Sequence, residues 1–205
     1  MVTIRNSIFE QNGKIESSNG LFETVTFIEL FKNDMGELFT SIPTICNFFE
    51  LGNRGRDYER IKNILAYLRD IKLIRIENDE IDIRNNMIIK SLDTQDEFYR
   101  NYDSKDILKI INHIKNHGDK KYRIGLVYYS IIKDMPIYNN NYQPKFVSYE
   151  GIMKDTLMGN RNAVKSHLDF LKDNNMLIIK RKTFGFTKHL FNEFSKPKTL
   201  DIPQI

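Results

Sequence analysis

The chain has 205 residues, 28% of them charged, with a formal net charge of +4 and a pI near 9.0. That length suits one large domain or two small ones. No apolar run approaches the roughly 18 residues that cross a bilayer, which excludes a membrane partner, and the single cysteine, Cys46, excludes an internal disulfide.

The opening MVTIRNSIFEQNGK lacks the apolar core of a signal peptide, so a cytoplasmic protein is expected. Residues 1–20 are polar and read as an N-terminal arm, or as a hairpin turning at Asn12-Gly13, a favoured type I′ pair. Phe22, Val25, Ile28 and Phe31 recur at helical spacing and predict a first helix to about Lys32. Asn33-Asp-Met-Gly36 breaks it, and Leu38 to Thr40 reads as a short strand. Ser41 is a good N-cap, Pro43 suits the first turn of a second helix, and Gly52 is read as its terminator. A third helix is predicted from about Asp57 to Ile71, with Ile61, Leu65 and Leu68 as its buried stripe and Ile64 and Tyr67 beside it. Leu73 to Ile76 and Glu80 to Arg84 then read as strands around Glu77-Asn-Asp79. Together these elements make a first unit over 21–90.

Residues 91–119 read as a helical connector. Ser104 caps a helix with Ile107, Ile110, Ile111 and Ile114 on one face, and Gly118 stops it. Such a face belongs between two units or in a dimer interface. A second unit over 120–195 repeats the order. It has an apolar helix from Tyr122 to Lys133, a loop from Pro136 to Pro144 and a strand at Lys145 to Val147. A helix capped by Ser148 and ended by Gly159 follows, then a helix over 162–173 with Val164, Leu168 and Leu171 inward. A hairpin of Leu177 to Lys182 and Phe184 to His189 closes the unit. Residues 196–205 form an irregular tail.

The two units share sequence as well as order. SIPTICNFFELGNR at 41–54 and SYEGIMKDTLMGNR at 148–161 coincide at Ser, Ile, Gly, Asn and Arg, 107 positions apart and without a gap. After a four-residue difference in length, the Leu65 to Asp70 run parallels Leu168 to Asp173. The element order carried by Ser41 to Ile83 and Ser148 to His189 resembles the winged-helix fold, a helix-turn-helix with a β-hairpin wing. With two copies, the chain is similar to bacterial plasmid and phage replication initiators and to winged-helix transcription regulators. The fold class this implies is α+β, mainly α, with two winged helix-turn-helix modules joined by a helical connector.

The function implied is sequence-specific binding of double-stranded DNA, by a homodimer on a palindromic site. A helix in the major groove meets a donor and acceptor pattern that distinguishes all four base pairs, and its first residues reach the bases. In the second unit the outward set is Asn160, Arg161, Asn162, Lys165 and Ser166. Its wing offers Lys180, Arg181, Lys182 and Lys188 to the phosphate backbone. In the first unit the matching set is Arg54, Arg56, Tyr58, Arg60, Lys62 and Asn63. The charges differ between copies. Residues 41–84 hold eight basic and eight acidic residues, whereas 148–189 hold eight and four. The first wing, with Glu77, Asp79, Glu80 and Asp82, repels phosphate and is the place for a protein partner. A protein–protein interaction module is therefore the alternative.

Chemistry is not expected, and neither is a cofactor or a metal. His113 and His117 lie i, i+4 but lack the glutamate of a zinc-protease motif and a third ligand. Tyr128 and Tyr129 lack the paired histidines that would make them nicking tyrosines, so they read as core. Cys46, beside Ile45 and near Phe48, reads as a buried structural thiol. No phosphate-cradling GxxxxGK[ST] loop and no GxSxG elbow occurs.

Overall fold

The computed structural model describes residues 2–10, 18–51, 54–77, 80–92, 99–117, 123–138, 141–183 and 190–197. Among them are seven α-helices and four small antiparallel sheets, an α+β fold that is mainly helical. The chain enters through strand β1 (Val2–Arg5) and a 3-10 turn (Asn6–Phe9). The first half then runs α1 (Leu21–Phe31), β2 (Glu37–Thr40), α2 (Ile42–Phe48), α3 (Arg54–Asp70), β3 (Ile74–Ile76) and β4 (Met87–Ser91). Strand β5 (Tyr99–Tyr102) and α4 (Ser104–His117) lead across to α5 (Ile124–Ile132). The second half continues through a small hairpin, β6 (Ile137–Tyr138) and β7 (Asn141–Tyr142). It ends with β8 (Lys145–Val147), α6 (Tyr149–Thr156), α7 (Arg161–Asp173), β9 (Ile178–Thr183) and β10 (Leu190–Ser195).

Apart from the β6–β7 hairpin, each half follows the order helix, strand, helix, helix, strand, strand. The sheets also match, with order β2-β4-β3 in the first half and β8-β10-β9 in the second. The helix entries are chemically alike. Ser41 Oγ accepts from the Thr44 N–H at 3.3 Å, and Ser148 Oγ accepts from the Gly151 N–H at 2.9 Å. Each serine therefore satisfies one of the donors that a helix start leaves unpaired. Helix α3 has 17 residues and α7 has 13. The four-residue difference read from the sequence is one additional helical turn in α3.

The second helix of each half stops before the glycine expected to end it. Helix α6 ends at Thr156, and Leu157, not Gly159, turns the chain with φ +51°. In the first half Glu50 takes the same role with φ +55°, and Gly52 lies outside the described residues. The closing hydrogen bonds repeat too. Leu51 N–H donates to Cys46 C=O, and Met158 N–H donates to Met153 C=O, both at 3.0 Å. This six-to-one bond with a left-handed residue inside it is the Schellman helix end.

Three further expectations are corrected. The strand that returns against β3 is Met87–Ser91, not Glu80 to Arg84. Asp82 accepts from the Arg84 backbone and the Asn85 side chain, which folds that segment into a local turn. Glu80 to Arg84 alternates polar and apolar residues and Met87–Ser91 does not, yet pairing with β2 and β3 selects the later segment, whose burial alternates along the strand. The arm is a strand paired with β5 from Val2↔Tyr102 to Arg5↔Tyr99, and the Asn12-Gly13 turn lies outside the described residues. The loop after α5 contains the β6–β7 hairpin, held by Tyr142 Oη donating to the Asn101 carbonyl.

One core runs through both halves. Helix α1 is buried over Leu21 to Ile28 on every side, because β1, α2, α3 and α5 surround it. Only Phe31 of its expected apolar stripe is exposed. Phe22 stacks at 5.1 Å on Tyr129 of α5, and Thr26 Oγ1 shares a 2.7 Å hydrogen bond with Tyr129 Oη. Helix α4 packs within the chain. Ile107, Ile110, Ile111 and Ile114 are buried, His113 stacks on Phe170 of α7 at 3.8 Å, and Lys115 reaches Glu50 at 3.7 Å. Its isoleucine face is thereby consumed inside the chain, while Leu108 of the same helix stays exposed.

Candidate nucleic-acid interface

Helix α7 presents one polar row. Val164, His167, Leu168 and Leu171 are buried, so the 3.6-residue period turns Arg161, Asn162, Lys165 and Ser166 outward, and all four are exposed. Asn160 precedes them as the N-cap. Its Oδ1 accepts from the Asn162 N–H at 2.8 Å, so this oxygen is committed to the helix start. The Arg161 guanidinium lies 4.6 Å above the ring of Tyr149, the first residue of α6. A cation over an aromatic face is held by the ring quadrupole, so Tyr149 fixes where Arg161 stands. Tyr149 was not singled out from sequence, and its only signal was its place directly after the capping Ser148.

The turn that seats α7 is braced from elsewhere in the chain. Arg123 donates from Nη1 to Leu157 C=O at 3.1 Å and from Nε to Asn19 Oδ1 at 2.7 Å. The Ser18 hydroxyl donates to Thr156 C=O. Ser130 of α5 and Lys133 at its C-terminal end both hold Asp155 of α6, at 3.0 and 2.9 Å. Of the wing residues, Lys180 is exposed on β9, and Arg181 and Lys182 follow on the same strand. Lys188 lies outside the described residues.

The first half presents a poorer face. The common 107-residue spacing aligns Arg161, Asn162, Lys165 and Ser166 with Arg54, Gly55, Tyr58 and Glu59. Arg54 opens α3, Arg56 and Asn63 are exposed, and Lys62 is partly exposed. Tyr58 packs against the core. Arg60, read from sequence as outward, turns inward and joins Asp57 Oδ1 at 3.0 Å, with Asp57 wholly buried. These two stand where α7 has Val164 and buried His167. Glu23 of α1 completes the charged cluster. Burial raises its pKa to about 7 against the pull of Arg60. Nearby Cys46 is buried and its thiol is pushed up to about 12, chiefly by burial.

Compared with protein-family models, curated proteins and solved structures, the chain matches none.

Other candidate chemistry is taken up by packing. Tyr128 Oη donates to Asp106 Oδ2 at 2.7 Å, and Lys196 Nζ contacts both groups. Burial drives the Tyr128 and Tyr129 hydroxyls well above the ordinary phenol value. Among the described residues no three His, Cys, Asp or Glu side chains gather as metal ligands, and no helix is long and apolar enough to cross a membrane.

A groove of about 270 Å³ lies at the first wing, lined by Phe39, Glu77, Glu80, Asp82, Asn85, Asn86, Met87 and Ile88. Its charged residues are all acidic, so it disfavours phosphate and favours a cation.

Proposed function

We propose that the chain binds double-stranded DNA sequence-specifically through two winged-helix units, as a transcription regulator or a plasmid- or phage-type replication initiator, without chemistry of its own. The observation that carries this reading is the row Arg161, Asn162, Lys165 and Ser166 on the first two turns of α7. Arginine pairs with guanine and asparagine with adenine in the major groove. A helix start also favours phosphate, since its N–H groups and dipole point outward there. Lys180 and the basic run after it suit the flanking backbone. In this reading the second unit is the principal reader.

Gel-shift titration against fragments of the source genome at several salt concentrations tests the proposal. Affinity should fall steeply with salt, because each neutralised phosphate releases a counterion. Failure to bind any fragment at low salt refutes it.

The acidic groove favours a second reading, a protein-interaction module in which the first wing takes a basic partner. Charge reversal at Arg161 and Lys165 separates the two. DNA-dependent activity that survives the reversal rules out α7 as the reader.

A further inference from the structure

Among the described residues, Arg161 is the one side chain of the outward row of α7 that another element holds, with its guanidinium 4.6 Å over the Tyr149 ring. The ring stands on a fixed base. Tyr149 is half-buried against the core, and it opens α6 directly after Ser148, whose Oγ caps that helix. Ser130 and Lys133 pin the far end of α6 through Asp155. The contact with the ring draws on the charge of the guanidinium and needs no oxygen acceptor. Among the described residues no oxygen accepts from Arg161, so its N–H groups stay open to a ligand. The first half has no such ring. The 107-residue spacing puts Ile42 at the position of Tyr149, and Ile42 is buried.

We propose that Tyr149 positions Arg161 to read guanine, a role that rests on the DNA reading and names the base that this arginine takes. Guanine offers two acceptors, O6 and N7, side by side in the major groove. A guanidinium fork meets both only in one plane and at one place. A free arginine gives up rotamer freedom to reach that pose, and this loss weakens binding. A guanidinium already held over an aromatic ring has given up part of that freedom before DNA arrives. Phosphate makes a looser demand. Its oxygens take the positive charge in many poses and carry no sequence information. The ring therefore strengthens contact with the base and leaves contact with the backbone unchanged. Without a ring at Ile42, the first half lacks this device, so discrimination for guanine at this helix position belongs to the second half.

Selection from a random-sequence duplex library with the wild-type chain supplies its preferred site. Gel shifts then compare that site with an unrelated duplex for Y149F, Y149L and R161K. Y149F keeps the ring and should discriminate as the wild type does. Y149L keeps an apolar side chain against the core but loses the ring. It should bind the preferred site about two- to fivefold more weakly, the size of an exposed cation–π contact, and the unrelated duplex unchanged. R161K keeps the charge without the planar fork, alters no buried residue, and serves if Y149L fails to fold. It should lose at least as much discrimination as Y149L. A guanine analogue lacking N7 in the preferred site should weaken the wild type and affect Y149L less. A wild type that binds no duplex refutes the DNA reading, and this inference with it. A wild type that binds, beside a folded Y149L that matches it on both duplexes or weakens on both alike, overturns the role of Tyr149 alone. Discrimination that R161K retains overturns the guanine contact.

Discussion

Glu50 and Leu157, 107 positions apart, adopt the same left-handed backbone, with φ of +55° and +51°. The correspondence recurs after the third helix of each half. Lys72 and Asn175 have φ of +59° and +55°, and Leu73 and Met176 each donate to the carbonyl five residues back at 2.9 Å. These four are the only non-glycine residues with positive φ among the described residues. Neither pair conserves its side chain, so what the two halves hold in common is the geometry of the helix end. A left-handed L-residue costs roughly 1–2 kcal/mol, a penalty glycine avoids. Leu157 is partly exposed and gives up little burial. L157G should raise stability by about 0.5–1 kcal/mol in urea unfolding, after the greater chain entropy of glycine in the unfolded state is deducted. A loss of stability would mean that the Leu157 side chain contributes more than the backbone strain removes.

The two halves meet where α5 lies against α1. A Cβ on Gly125 would lie only 2.0–2.3 Å from three ring atoms of Phe22, whose ring centroid is 6.4 Å from that of Phe49 and 5.1 Å from that of Tyr129. Neither the ring nor the helix backbone has room to retreat in a close-packed core. G125A should therefore destabilise by about 1–3 kcal/mol or more, although alanine is the better helix former. F22L in the same chain should restore part of the loss. Urea midpoints of the single and double variants measure the coupling, and additive effects would place the strain elsewhere.

Much of this architecture was legible. The serine caps, the stripes of α3 and α7 and the repeat at Gly-Asn-Arg placed most helices within a few residues, because caps and apolar period are local signals. The pairing of Val2–Arg5 with Tyr99–Tyr102 was not legible, since two short strands nearly a hundred residues apart share no local pattern. The choice of Met87–Ser91 over Glu80 to Arg84 was hidden because the earlier segment alternates polar and apolar residues and the later one, Met-Ile-Ile-Lys-Ser, does not. At the candidate interface, the outward row of α7 followed from its apolar period. Arg60 was misread as outward because a charged residue on a helix normally seeks water, and only the buried Asp57 explains its inward turn.

Glu23 makes stability depend on pH. It is fully buried, and neither carboxylate oxygen reaches a hydrogen-bond donor. Burial lifts its pKa from the ordinary 4.5 to about 7, against the lowering effect of Arg60. Between those values the folded chain keeps a proton that the unfolded chain has released. Stability from this group is therefore greatest below pH 4.5, declines as pH rises and levels off above about 7. At about 1.4 kcal/mol per pH unit the full decline is about 3 kcal/mol. E23Q should flatten this part of the profile and should exceed the wild type at pH 8. Urea unfolding at a series of pH values between 4 and 8 checks it, and parallel profiles would remove Glu23 as the cause.

Arg60 and Arg161 separate folding from recognition. Arg60 is 12% exposed at the side chain and neutralises the wholly buried Asp57. Removing one member of a buried pair leaves an uncompensated charge and costs about 3–5 kcal/mol. R60A should thus lower the urea midpoint sharply, while D57N/R60M, which removes both charges, should recover most of the loss. R161A takes an exposed guanidinium from over Tyr149 and should leave stability within about 0.5 kcal/mol. In the DNA reading it should weaken binding to the preferred site by about 1–3 kcal/mol if it contacts a base. If Arg161 contacts only phosphate, binding to all sequences should weaken alike and the salt slope should fall by about one. Gel shifts of R161A on specific and unrelated duplexes distinguish these cases. Unchanged affinity on both would exclude Arg161 from the interface while leaving the fold of α7 intact.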